Sequence, residues 1–308
     1  MTEQEIKDIL DTVSADGSSG YKAEKGRYHL YVGHGCPFAF RTTVARVLKG
    51  LEDTITVDVV DPIKKDLDKG WNFSPEKANC TADTVCGKMY LRDVYMLSHP
   101  NYTGKISVPV LFDKNTKKIV STDSAAILRM INNEFNEFCA TEEQAKLDLY
   151  PKEKRDEIEE LKKWIIPSVV FNVYAVALAK TQEVYDEKVT NLFNNLDKID
   201  TILAQKRFLT GSNITEIDVF LFATLLRFDP VYYSLFKCNK KMMMDYPNIW
   251  PYLRDLFQTG DIASTVNFEH IKAIYYGSYK EFNPSLIIPA GPVIDFTEET
   301  DRAEIGKN

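Results

Sequence analysis

Apolar and polar positions along the chain change their period several times, and each change marks an element. "RYHLYVG" at 27–33 reads as a strand, and from Cys36 to Leu51 the residues Phe40, Val44, Val47, Leu48 and Leu51 return at helical spacing. "ITVDVV" at 55–60 is a second strand. A long, irregular connection follows, carrying "GWNF" at 70–73 and a helix predicted over 88–97. "SVPVLFD" at 107–113 and "KKIVST" at 117–122 predict two strands joined by the turn "DKNT". "DSAAILRMINNEF" then predicts a helix that starts at Asp123 or Ser124. The order is β-α-β-α-β-β-α. Its first strands are separated by helices and are expected to run parallel, while the last two form a hairpin.

From about residue 140 the pattern is helical throughout. "KVTNLFNNLDKIDTIL" keeps Val189, Leu192, Phe193, Leu196, Ile199 and Leu203 on one face. "NITEIDVFLFATLLRF" opens with a capping box, Thr215 as N-cap and Asp218 reaching back, flanked by Ile214 and Val219 at the staple positions. The tail after Pro292 is polar and is expected to be disordered. A chain of 308 residues exceeds the roughly 250–300 at which one core stops growing, so two domains are expected. They are an α/β domain over 1–140, with an N-terminal extension, and an all-helical domain over 141–308.

Charge narrows the partners. A net charge of −7 with no stripe of Lys and Arg argues against nucleic acid and against an anionic membrane surface. No apolar run approaches the ~18–20 residues of a spanning helix. The start, "MTEQEIKDILDTVSADG", lacks the features of a signal peptide, so the expected location is the cytoplasm. Five cysteines at irregular spacing fit reduced thiols better than a disulfide framework.

The junction at Cys36 carries the chemistry. If the helix begins there, Pro37 is its first full residue, where the missing N–H costs nothing. The thiol then faces unpaired N–H groups and the positive end of the helix dipole, a setting that stabilises a thiolate. Taken without that context, a cysteine is more often a small buried hydrophobe. The position where a second redox cysteine would stand is Ala39. A lone thiolate can attack a sulfur but cannot close an internal disulfide, so the resolving thiol must come from a second molecule. Glutathione is the abundant cytosolic candidate.

Pro109 is the next marker, because proline is normally excluded from central strands. A trans proline on an edge strand would satisfy that rule and is the commoner case. Between these elements a cis Val108–Pro109 bond is expected instead, which leaves the Val108 backbone open to an extended peptide ligand. Ser124, at a helix start, can bind a carboxylate through its hydroxyl and backbone N–H, and Asp123 can pair with an ammonium. The γ-glutamyl end of glutathione offers both groups; equally, the two residues can simply cap their own helix. Nothing in the spacing of His, Cys and acidic residues suggests a metal site, and no metal is expected.

"CPFAFRT" resembles the Cys-Pro-Trp-Ala-His-Arg-Thr signature of the Xi-class glutathione transferases, the glutathionyl-hydroquinone reductases. The similarity runs in order through "GWNF", "VPVLFDKNTKKIVSTDSAAILRMI", "LTGSNITEIDVFLFATLLRFDPVY", "FKCN", "DYPNIWPYLRDLFQ" and "NFEHIKAIYYGSY" to "NPSLIIPAGP", roughly residues 25–292. The resemblance implies a thioredoxin-like domain (βαβαββα) followed by an all-α glutathione-transferase domain. It implies that Cys36 attacks the sulfur of a glutathionyl-hydroquinone and becomes a mixed disulfide, which a second glutathione resolves.

By matching motifs, Trp71, Val108, Pro109, Asp123 and Ser124 hold glutathione, while Tyr174, Tyr232 and one of Tyr275 and Tyr276 line the acceptor pocket. A homodimer through the helical domain is also implied. Three departures stand near the pocket. Phe38 and Phe40 replace Trp and His, Asp123 replaces Glu, and "NVYAVALA" lacks the usual lysine. Two other functions fit the same residues: a general thioltransferase or dehydroascorbate reductase of Omega type, and a non-catalytic interaction scaffold.

Overall fold

Pairing across β3 organises the first part of the chain. The computed structural model describes residues 8–66 and 68–305. Two short strands, Val13–Ser14 (β1) and Tyr21–Lys22 (β2), pair in parallel within the extension. With two residues each, they are too short to leave a period in the sequence. Then come Tyr28–Val32 (β3), Pro37–Leu48 (α1), Thr56–Val59 (β4), Leu91–Ser98 (α2), Val110–Asp113 (β5), Lys118–Ser121 (β6) and Ser124–Asn133 (α3). The sheet order is β4-β3-β5-β6, with β4 parallel to β3 and both other pairs antiparallel. Every residue of β3 is buried, as in a strand covered on both faces.

Two boundaries differ from the sequence expectation. The strand predicted from residue 107 begins at Val110, so Pro109 lies just ahead of the ladder and gives up no pairing position. The Val108–Pro109 bond is cis. Tyr95 of α2 fixes this approach by donating its hydroxyl to the Ser107 carbonyl at 2.9 Å. The helix predicted from residue 88 starts at Leu91. Before it, the Asp83 carboxylate gathers the N–H groups of Val85, Cys86 and Lys88 into a turn that competes with helix.

The chain divides into two compact units, the first ending at Asp148 and the second beginning at Leu149. The short helix Glu142–Lys146 (α4) belongs to the first. Buried Lys49 ties it there, donating to the carbonyls of Ala145 and Leu147 at 3.2 and 2.6 Å.

The second unit is helical: Arg155–Ile165 (α5), Asn172–Ala177 (α6), Gln182–Leu203 (α7), Glu216–Leu225 (α8), Ile249–Gln258 (α9) and Phe268–Ser278 (α10). One π-helical turn, Ile166–Val170, follows α5, and a second, Phe228–Tyr232, follows α8. All ten residues of α8 are buried, so it forms the centre of the unit. Its capping box forms as expected. The buried Asp218 carboxylate accepts from Thr215 N and Oγ1, from Leu209 N and from the Tyr252 hydroxyl, at 2.8–3.0 Å.

The tail corrects the expectation of disorder. Phe296 is 4% exposed, its ring centroid 4.9–5.6 Å from those of Trp250, Phe257 and Phe268. Arg302 is 1% exposed and donates to the carbonyls of Leu203, Lys206, Arg207 and Asn248, closing the C-terminal end of α7. Polar composition hid this because the docking rests on one aromatic ring and on polar contacts: besides Arg302, Gln258 donates to the carbonyls of Phe296 and Glu298 at 2.8 Å and Arg254 pairs with Glu298 at 2.6 Å. Arg302→Ala is expected to lower stability by about 2–4 kcal/mol, since it strands several buried carbonyls. Urea denaturation would check it; an unchanged midpoint would mean the tail adds nothing.

Candidate functional site

Strand β3 runs into Gly33, His34 and Gly35 and delivers Cys36 to the start of α1. Cys36 is the N-cap, with φ −78° and ψ 122°, and Pro37 occupies the first turn. The Cys36 N–H donates to the Gly33 carbonyl at 2.9 Å, and the Cys36 carbonyl accepts from Phe40 N at 3.0 Å. The cysteine side chain makes no capping bond. Its Sγ is partly exposed and lies 3.7 Å from the Val108 carbonyl oxygen. The thiol and the backbone before the cis proline are thus neighbours.

Beside them, α3 begins. Asp123 is its N-cap, exposed, and its Oδ1 accepts from Ala126 N at 2.6 Å. It therefore caps its own helix, and its remaining acceptor capacity is what a ligand ammonium could use. Ser124 is 7% exposed, and its Oγ receives Arg41 Nη1 at 3.4 Å. Arg41, which stands in "CPFAFRT", carries no local signal of a role in the site. It is buried, its guanidinium lies 4.8 Å over the Phe38 ring, and it places a positive charge beside the hydroxyl expected to meet a carboxylate. Phe38, one of the departures from the family signature, is thus the platform for that cation.

Trp71 is buried in the loop between β4 and α2, where its carbonyl accepts from Leu91 N and Lys64 Nζ sits 4.5 Å over its ring. Asn72 holds that loop, donating to Asp61 and Ser74. Among the described residues, none of these contacts joins Trp71 to Cys36, Val108 or Ser124.

In the second unit three tyrosine hydroxyls form a triangle. Tyr174 of α6 and Tyr275 of α10 are 2.9 Å apart, Tyr232 and Tyr275 3.0 Å, and Tyr174 and Tyr232 3.3 Å. Three oxygens share three protons, so a closed ring of bonds can open to point one proton outward when an acceptor oxygen arrives. Burial raises Tyr232 and Tyr275 well above the ordinary phenol range, which keeps both protonated. Tyr276 is not part of the triangle. Its hydroxyl bonds to Ser234 Oγ at 2.5 Å and donates to the Pro230 carbonyl at 3.4 Å. Of the two adjacent tyrosines, the geometry joins Tyr275 to the cluster. Among the described residues, no group of His, Cys, Asp and Glu is arranged to hold a metal ion.

A thioredoxin-like sheet with a helix-capping cysteine beside a cis proline, followed by an all-helical unit, defines a glutathione-transferase scaffold. Family models for the glutathione S-transferase N-terminal and C-terminal domains match residues 35–134 and 182–255. The glutathionyl-hydroquinone reductase YqjG of Escherichia coli K12 is 44% identical over 93% of this chain and 85% of its own length. The glutathionyl-hydroquinone reductase PcpF of Sphingobium chlorophenolicum is 39% identical over 89% and 85%. Among solved structures, a Xi-class transferase from Natrialba magadii has a TM-score of 0.92 at 42% identity, covering 97% of this chain and 89% of that one. Glutathione-bound YqjG has 0.91 at 42%, covering 97% and 99%. The chain belongs to the glutathione S-transferase family, in its Xi class.

Proposed function

We propose that this protein is a glutathione-dependent reductase that removes glutathione from glutathionyl-hydroquinones through a Cys36–glutathione mixed disulfide. One observation carries the reading: a single cysteine stands at the N-cap position of α1 with its thiol beside the Val108 carbonyl, and no second cysteine follows it in the helix. The relatives named glutathionyl-hydroquinone reductases support the acceptor class.

The Cys36 thiolate attacks the conjugate's sulfur, the Sγ–S bond forms, and the C–S bond breaks. Before that bond breaks, the sulfur-bearing carbon has taken up the proton of a ring hydroxyl to give the keto tautomer, so the C–S electron pair passes to the carbonyl oxygen, which takes up a proton as the ring leaves as hydroquinone. The thiolate of a second glutathione then attacks the mixed disulfide, releasing oxidised glutathione and restoring the Cys36 thiolate. In this reading the Val108 backbone pairs with the extended peptide, Pro109 holds that backbone, and Trp71 provides an apolar wall. Ser124 with Arg41 meets the γ-glutamyl carboxylate, and Asp123 meets its ammonium. The phenols of Tyr174, Tyr232 and Tyr275 serve the hydroquinone oxygen on which charge develops. The proposal places this action in the cytoplasm; no described helix is long and apolar enough to cross a membrane. Pairing through the helical unit completes the proposal; Phe171 and Leu178 leave apolar side chains exposed there.

The test compares kcat/KM for glutathionyl-hydroquinone, dehydroascorbate and hydroxyethyl disulfide. The glutathionyl-hydroquinone is expected to lead by about tenfold or more, the scale of an added oriented contact. Faster turnover of either other substrate would instead indicate the Omega-type activity, and no turnover of any would indicate a scaffold.

A further inference from the structure

Next to the phenol triangle, the second unit holds a cavity of about 480 Å³ that the mechanism above leaves unused. Its apolar wall includes Leu235, Phe236 and Phe282, and its lining carries Lys180, Lys237 and Glu281. Phe236 is shared between cavity and triangle. Its ring stacks on Tyr232, centroids 5.1 Å apart and 14° from parallel, and lies 5.7 Å from the ring of Tyr275. One wall of the cavity therefore packs against the rings of the tyrosine cluster.

Lys237 is held in an uncommon backbone state. Its φ is +60°, a left-handed conformation that a long side chain rarely adopts. Two bonds fix it. The next residue, Cys238, donates its N–H to the Tyr232 carbonyl at 3.0 Å, and the Lys237 carbonyl accepts the Tyr185 hydroxyl at 2.8 Å. The turn that presents Lys237 is thereby tied to the same residue that supplies a phenol. Lys180 comes from the segment before α7. Among the described residues neither lysine is engaged by a carboxylate, and Glu281 is the one acidic residue in the lining, so the cavity is cationic on balance. Its volume suits a substituted aromatic ring.

We infer that this cavity takes an anionic substituent of the acceptor, so that the preferred substrates are glutathionyl conjugates of hydroquinones bearing a carboxylate or sulfonate. The apolar part of the acceptor lies on Phe236 and Phe282, and Lys180 and Lys237 meet the charge. The inference rests on the reductase reading, which supplies the aromatic acceptor. A partly exposed charge contact is worth roughly three- to fivefold, so two together set a preference of about tenfold or more.

The experiment measures kcat/KM for glutathionyl-hydroquinone and for the glutathionyl conjugate of gentisate, the carboxylate of hydroquinone. It uses the full-length protein and its Lys180→Ala/Lys237→Ala double variant. The wild type is expected to favour the gentisate conjugate, and the double variant to lose that ratio almost entirely. Equal values for the two conjugates in the wild type, or a ratio unchanged in the variant, overturns the proposal while leaving the reductase reading standing. Equilibrium dialysis with gentisate itself supplies an arm independent of turnover. Binding is expected to weaken at least about fivefold in the double variant, and gentisate binding no tighter than hydroquinone binding overturns the proposal. If neither conjugate is turned over, the reductase reading falls and dialysis alone decides the cavity. Should Lys237→Ala fail to fold, Lys237→Asn replaces it, because Asn tolerates the left-handed backbone.

Discussion

Cys36→Ser is expected to abolish deglutathionylation, with kcat/KM falling at least ~1,000-fold, because a hydroxyl at this position has no base to activate it and cannot form a disulfide. The other cysteines offer no substitute. Burial pushes the Cys80 thiol up to about 11 and also raises Cys86, Cys139 and Cys238, which holds all four in the unreactive thiol form at neutral pH. Intact-mass spectrometry after a single turnover without free glutathione should find one glutathione on the wild-type protein and none on the variant. Substantial reductase activity in Cys36→Ser would sink the mixed-disulfide route. A glutathione adduct at another cysteine would place the nucleophile elsewhere.

Local chemistry was legible in the sequence, and long-range pairing was not. The start of α1 could be read because Cys36-Pro37 follows an extended run and proline has a physical reason to stand first in a helix. The cap of α8 could be read because Thr215 and Asp218 are three residues apart and answer each other. Where β5 begins depends on its partner. Its pairing with β3 sets Val110 against Tyr31, and no local signal in "SVPV" reports that. Arg41 gives no local signal for the same reason: its contact with Ser124 exists because α1 packs on α3. The adjacent tyrosines of "YYGS" sit on neighbouring faces of α10, and only packing decides which meets Tyr174. The docked tail is the extreme case, held by one aromatic ring and by polar groups whose partners lie far away in the chain.

Tyr275→Phe should lower turnover on glutathionyl-hydroquinone by ~10–1,000-fold, the range seen when one donor to a developing oxyanion is removed. As the C–S bond of the keto tautomer breaks, negative charge moves through the ring onto the carbonyl oxygen that becomes a hydroquinone oxygen, so a phenol donating there stabilises the transition state more than the ground state. Tyr275 sits within 3.0 Å of both Tyr174 and Tyr232, so losing its hydroxyl breaks two sides of the triangle at once. Phenylalanine keeps the ring that packs against Phe236, 5.7 Å away, and deletes only the proton donor. The loss should therefore fall on kcat, with KM changed little. Reduction of a small mixed disulfide, whose leaving group is a thiolate, needs no such donor and should stay near the wild-type rate. Tyr276→Phe makes the comparison sharp. That hydroxyl is bonded to Ser234 outside the triangle, so its removal should register in stability before it registers in turnover. Equal losses on both substrates in Tyr275→Phe would show that the triangle supports the helical unit and takes no part in releasing the hydroquinone.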